Sequence, residues 1–237
     1  MQESVVIAVA IDGPGSSGKG TVARDVARAL GFAYVDTGAM YRAVALFSER
    51  ARVDWTDGIR VARVAEALEF GFDWNGAALR VFVGGEDVTS AIRTAEMGSG
   101  ASRVSAHPEV RAALLGLQRG LVDAGGVVMD GRDIGTVVLP NAELKVYLDA
   151  ALDERARRRH TELAVAHPGL SIDEVRTALA DRDRRDTQRA VAPLRRAPDA
   201  VYLDTTGLSA TDAANRIVAL ARERMAGAPV DIGQRLD

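Results

Sequence analysis

The chain has 237 residues, 47% of them apolar and 27% charged, with a formal net charge of −3. That balance supplies a sizeable core, excludes global disorder, and argues against a general nucleic-acid binder. With no cysteine in the chain, disulfides, thiolate metal sites and cysteine nucleophiles are excluded outright.

The longest apolar run near the start, Val5 to Ile11, is far too short for a membrane span. It also lacks a basic flank and a cleavage site, so a cytoplasmic protein is expected. Ser4 to Ile11 is apolar at nearly every position, which predicts a strand buried on both faces. A Gly/Ser stretch follows, then apolar positions from Val22 to Leu30 at helical spacing, with Gly31 where a C-cap belongs. Phe32 to Val35 reads as a strand, and a helix is expected to begin near Ala39. This strand, loop, helix, strand order predicts a parallel α/β sheet.

The middle of the chain changes character. Three short β-like runs between Phe70 and Val88 are separated by Asn75-Gly76 and Gly84-Gly85, turns that need positive φ. They predict a small antiparallel meander inserted into the core, flanked by helices at Asp57 to Leu68 and Ala95 to Ala106. The α/β rhythm resumes with a helix at Pro108 to Val122 and strands at Gly126 to Asp130 and Leu144 to Leu148. Two Arg-rich helices, Asp153 to Val165 and Ile172 to Gln188, flank the turn His167-Pro168-Gly169. The last strand is Ala200 to Leu203, and Ser209 caps a final helix from Ala210 to Met225. From Gly227 a frayed tail is expected.

The chemistry begins at Gly13-Pro14-Gly15-Ser16-Ser17-Gly18-Lys19, a G-x-x-x-x-G-K phosphate loop between a buried strand and a helix. Small residues let successive N–H groups converge on phosphate oxygens, and the helix N-terminus adds partial positive charge. Lys19 is placed to reach the β- and γ-phosphates of a nucleoside triphosphate. Gly20 follows it, so the hydroxyl that commonly meets magnesium is displaced by one residue to Thr21. Asp130 closes a predicted strand where a magnesium-bearing acid would lie, acting through water.

The run Gly18-Lys19-Gly20-Thr21 is the form found in nucleoside monophosphate kinases. The runs Asp36-Thr37-Gly38-Ala39-Met40-Tyr41-Arg42, Gly85-Glu86-Asp87-Val88, Ile92-Arg93, Asp130-Gly131-Arg132-Asp133-Ile134-Gly135-Thr136 and Arg189-Ala190-Val191-Ala192-Pro193-Leu194 narrow this further. Together they resemble the bacterial cytidylate (CMP/dCMP) kinase family over roughly residues 4–225. The resemblance implies an α/β P-loop nucleoside monophosphate kinase core with a parallel five-stranded sheet. To that core it adds a small antiparallel β-meander as monophosphate-binding insert and a short helical lid. The core would be 1–55 and 107–226 with the lid within about 155–190, the insert 56–106, and the flexible tail 227–237.

It further implies ATP and CMP or dCMP as substrates, a magnesium ion with the ATP, a monomer, and no nucleic-acid or membrane partner. Gly13 to Thr21 would bind ATP, with Arg158 and Arg185 closing on it from the lid. Thr37, Tyr41 and Arg42 would orient the acceptor; taken alone, Arg42 is as readily a surface salt-bridge residue. Ser102, Arg111 and Asp133 match the family's cytosine contacts, although singly Ser102 and Arg111 read as ordinary helix positions. Asp133 would accept from the N4 amino group, which disfavours uracil. Arg132 would contact the CMP phosphate, Arg182 and Asp186 the ribose hydroxyls, and Arg182 and Arg189 phosphate. Lys19, Arg132, Arg182 and Arg189 form the catalytic set in this reading.

Arg182, Arg185, Asp186 and Arg189 share one helical face, and three like charges in adjacent turns call for an anion between them. His107, His160 and His167 have no metal-ligand spacing, and Trp55 and Trp74 read as packing. A kinase for UMP or AMP is the nearest alternative. A P-loop regulatory module is more distant, since neither lysine is preceded by the Asn of a guanine-binding motif.

Overall fold

The computed structural model describes residues 7–122, 126–165 and 167–227. The first residues of the predicted opening strand and nearly all of the predicted tail lie outside the described residues. Strand β1 (Ala8–Asp12) is central in a five-stranded parallel sheet. It pairs with β6 (Val127–Gly131) on one side and β7 (Leu144–Asp149) on the other. Beyond these lie β2 (Ala33–Asp36) and β8 (Val201–Asp204), giving the order β2-β6-β1-β7-β8.

The unbroken apolar character of β1 follows from cover on both faces. Val9 and Ile11 pack in a cluster with Val22 and Val26 of α1 (Lys19–Leu30) and Ile217 of α8 (Ala210–Met225). Ala10 faces the other way, toward Val35, Met129 and Ile134. Gly31 ends α1 in the left-handed conformation (φ 70°), and its N–H bonds back to the helix.

Helix α2 (Thr37–Arg50) begins two residues ahead of the predicted Ala39, because the Asp36 carboxylate accepts the Ala39 N–H at 2.9 Å. Helix α3 (Gly58–Glu66) leads into the meander β3 (Phe70–Trp74), β4 (Leu79–Val83) and β5 (Glu86–Asp87), paired antiparallel in that order. Gly76, Gly84 and Gly85 all have positive φ, as the turns demanded. The meander rests against the core: Trp74 Nε1 donates to the Phe32 carbonyl at 3.1 Å, and its ring meets Tyr34 edge-on at 5.4 Å.

Helices α4 (Ala95–Val104) and α5 (Pro108–Gly120) return the chain to β6, and α4 packs against α2. After β7, helices α6 (Leu152–Leu163) and α7 (Ile172–Gln188) pack as a hairpin around Ala156, Val175 and Leu179. Ser171 and Glu174 form a capping box that fixes the start of α7. Helices α5 and α6 end two residues before their predicted ends. Two further turns were not predicted, a 3₁₀ turn at Ala91–Arg93 and a π-helical turn at Ile134–Val138. Among the described residues no helix is long and apolar enough to cross a membrane.

Candidate active site

The loop from Gly13 to Gly18 leaves the carboxyl end of β1, and α1 opens with Lys19, Gly20 and Thr21. Its tightness has a specific cause at Gly13, where a Cβ would stand 2.0 Å from the Leu148 carbonyl oxygen. Ser16 (φ 58°) and Gly18 (φ 91°) supply the left-handed steps of the turn. The loop is gripped through its carbonyls. Arg155 Nη1 donates to Gly15 O at 3.2 Å, and Thr205 Oγ1 and Arg158 Nη1 donate to Ser17 O at 3.1 and 3.3 Å. With those carbonyls engaged, the loop's N–H groups and the α1 N-terminus are left to face an anion. A cavity of about 450 Å³ adjoins the loop, lined by Ser16 to Thr21, Tyr34, Asp36, Arg158 and Thr205.

Lys19 is 8% exposed and curls over the loop, Nζ donating to Pro14 O at 3.2 Å. Burial, and then the neighbouring Arg132 guanidinium, pull its ammonium down to about 7. Asp130, at the end of β6, accepts from the Tyr34 hydroxyl at 2.8 Å, and its backbone carbonyl accepts from Thr37 Oγ1 at 2.8 Å. Burial and then the Asp36 carboxylate push Asp130 up to about 6. A buried carboxylate, Asp130, crowded by the half-buried Asp36 beside a phosphate loop could hold a hydrated divalent cation. Thr21 lines the same cavity, its hydroxyl accepting only a long 3.4 Å contact from Arg24. Among the described residues no group of three or more acidic or histidine side chains could hold a metal ion.

The second anion pocket lies between α2, α4, α7 and the loop after β6. It is a narrow cavity of about 50 Å³ lined by Thr37, Tyr41, Ser102, Arg111, Arg132, Asp133, Arg182, Asp186 and Arg189. Asp186 is its hub, accepting from Arg132 Nε at 3.0 Å and Ser102 Oγ at 3.1 Å, with Arg182 at 3.8 Å. Burial works to raise its carboxyl, but Arg132, Arg182 and Arg189 together hold it below the usual range. Asp133 is paired with Arg111 and, at 3.4 Å, with Arg189. Burial, then Arg132, pulls Arg182 down to about 10, and burial followed by Arg111 lowers Arg189. The anions expected between the α7 arginines are thus in part the protein's own, Asp186 and Asp133.

Two arginines of this pocket stand beside the phosphate loop: a Cβ built at Gly15 would lie 3.6 Å from Arg182 Cδ and 3.8 Å from Arg132 Nη2. Arg42 stands to one side, bound to Asp36 at 2.7 Å with its Nε buried and unpartnered. The salt bridge that its sequence equally allowed is therefore present. Arg185 departs from expectation. Its Nε lies 3.4 Å from Ser102 Oγ and its side chain borders a separate cavity between α4 and α7, whereas Arg158 of α6 reaches the loop.

Several residues of the site were not singled out in sequence. Asp12 is 4% exposed and accepts the Ile134 and Gly135 N–H groups at 2.8 Å each, fastening the Arg132–Asp133 loop to the phosphate-loop strand. Burial pushes its carboxyl up to about 7. Asp36 caps α2 and holds Arg42, while Arg155 and Asp183, 2.6 Å apart, tie the loop to α7. An acid ending a buried strand was the available signal for Asp12. His107 and His160 bond the carbonyls of Trp55 and Leu170.

Residues 9–223 match the family described as Cytidylate kinase. A protein named cytidylate kinase from Desulfitobacterium hafniense is 49% identical over 217 residues, covering 92% of this chain and 93% of the relative. One from Solibacter usitatus is 46% identical over 92% of this chain and 94% of its own length. Among solved structures, an uncharacterised protein from Eubacterium ventriosum shares the fold, with a TM-score of 0.52 at 10% identity over 91% of this chain and 98% of that one. A chain matched from its first sheet strand almost to the end of α8, at nearly half identity, belongs to the cytidylate kinase family.

Proposed function

We propose that this chain transfers the γ-phosphoryl group of ATP to CMP or dCMP, giving CDP or dCDP and ADP. The observation that carries the reading is that Arg132 and Arg182, both beside the Asp186 hub, also stand next to the phosphate loop at Gly15. Phosphoryl transfer needs two anion clamps in line and cations at the moving group, with little covalent help. Gly13 to Thr21 and Arg158 hold the triphosphate. Thr37, Tyr41 and Arg42 orient the acceptor, whose phosphate is ionised near neutral pH and needs no general base. Lys19, Arg132, Arg182 and Arg189 neutralise the charge that develops during transfer. Ser102, Arg111 and Asp133 read cytosine; held between Arg111 and Arg189, Asp133 offers acceptors, which suit N4 and repel a uracil carbonyl.

Magnesium would be held by Thr21 and, through water, Asp130, and it supplies charge neutralisation on the triphosphate. The meander region, 56–106, would serve as the acceptor insert and 155–190 as the lid, within a cytoplasmic monomer. A coupled ADP-release assay across CMP, dCMP, UMP and AMP tests the acceptor, with Lys19→Ala and Arg132→Ala alongside. Turnover should favour CMP and dCMP and fall at least a hundredfold in both variants while they stay folded. Preference for UMP or AMP would overturn the base assignment, and near-normal turnover of either variant would overturn its role.

A further inference from the structure

Among the described residues, Ser16, Arg52 and Ala192 alone have a positive φ without being glycine. Ser16 belongs to the phosphate loop and Arg52 to the turn after α2. Ala192 (φ 49°) stands in the segment that follows α7 and directly precedes Pro193. The position is doubly costly, because a Cβ disfavours the left-handed region and a following proline ring crowds the residue before it.

The turn has a definite product. Arg189 leaves helical dihedrals (φ −61°, ψ 142°), and its side chain is only 4% exposed. Its Nε donates to the Ala192 carbonyl at 2.6 Å, while its Nη groups reach Ser105 Oγ at 3.5 Å and Asp133 at 3.4 Å. The firmest hold on this guanidinium is therefore a backbone carbonyl and not the pocket carboxylate. Fixing Nε fixes the plane of the fork, which leaves both Nη groups turned into the acceptor pocket. The turn is anchored in its own right, since the Leu194 N–H donates to Asp186 O at 2.7 Å and Leu194 is buried.

We propose that Ala192 is a positioning residue whose left-handed backbone presents the carbonyl that sets the Arg189 fork for the acceptor phosphate. This rests on the proposed role of Arg189 at that phosphate. If residue 192 relaxed to a negative φ, its carbonyl would swing away. Arg189 would then be free to close on Asp133, an ion pair that competes with the incoming nucleotide.

The test compares Ala192→Gly, Ala192→Val and Ala192→Thr in steady-state kinetics with CMP and ATP varied separately. Glycine accepts the left-handed region freely, whereas a β-branched side chain is a genuine outlier there. Ala192→Gly should keep KM for CMP within about twofold of the parent. Ala192→Val should raise it about tenfold while KM for ATP and the melting temperature change little. Ala192→Thr, β-branched like valine but polar, should raise it about threefold and decides the matter if the valine variant does not fold. In an Arg189→Ala background, Ala192→Val should add nothing. An unchanged KM for CMP in Ala192→Val, or an equal rise with and without Arg189, would overturn the positioning role. If the valine variant is unfolded, an unchanged KM in Ala192→Thr would do the same. Arg189→Ala with normal CMP kinetics would instead overturn the site reading on which the role rests.

Discussion

Arg155 gives the sharpest test of how the phosphate loop is held. Its side chain is 8% exposed and makes three bonds: Nε to Ala150 O at 2.9 Å, and Nη1 to Gly15 O at 3.2 Å and to Asp183 at 2.6 Å. Replacement by alanine strands a carboxylate that is only 20% exposed and leaves two carbonyls short of a donor. Removing one partner of a buried ion pair costs about 3–5 kcal/mol, and the partial exposure of Asp183 puts the expected loss toward the lower figure. For a chain of this size each kcal/mol moves the midpoint by about 2–4 °C, so Arg155→Ala should melt roughly 6–12 °C lower. ATP affinity should fall with it, because the Gly15 carbonyl is released. Chemical denaturation of Arg155→Ala, Asp183→Ala and the double variant would isolate the pair, and a coupling below about 0.5 kcal/mol would refute this account of the loop.

Two further outcomes follow from the same loop. With the Lys19 ammonium pulled down to about 7 and a triphosphate restoring its charge, ATP binding should take up a proton above that pH. Affinity should then weaken by up to about tenfold per pH unit as pH rises from 7 toward the ordinary lysine value, and calorimetry in buffers of different ionisation enthalpy would show the proton. For the fold alone the sign is opposite: a lysine whose folded pKa is depressed favours the unfolded state below its ordinary value, so its penalty shrinks between about pH 7 and 10. Gly13→Ala should abolish detectable ATP binding, since its Cβ would stand 2.0 Å from the Leu148 backbone oxygen; a variant with parental ATP affinity would show that the loop can yield there.

Much of the architecture was legible because its signals are local. Asn75-Gly76 and Gly84-Gly85 specify turns through φ alone, and the meander stands where they put it. Helix α7 runs from Ile172 to Gln188 as predicted, since Ser171 and Glu174 cap it within one turn. The start of α2 was missed because Asp36 looked like loop, when it is the cap. The phosphate loop likewise declares its own geometry. What sequence did not yield depends on distant partners. Asp12 gains its role from N–H groups more than a hundred residues downstream, in a π-helical turn without a motif of its own. Arg158 and Arg185 look alike on their helices, and only the packing of α7 against α4 turns the second away from the loop.

The proposed acceptor pocket carries its own ions, and their count bears on what it can hold. Arg111, Arg132, Arg182 and Arg189 face Asp133 and Asp186, four guanidinium groups against two carboxylates. Two positive charges remain uncompensated, close to the negative charge of about 1.5–2 that a phosphomonoester carries at neutral pH. The proposed substrate therefore brings the pocket close to neutrality, whereas a bare nucleoside would leave two guanidinium groups without a counter-charge. On that balance a nucleoside lacking its ester is a poor occupant however well its base fits, and the charge the ester would bring is what lets four arginines share so small a space.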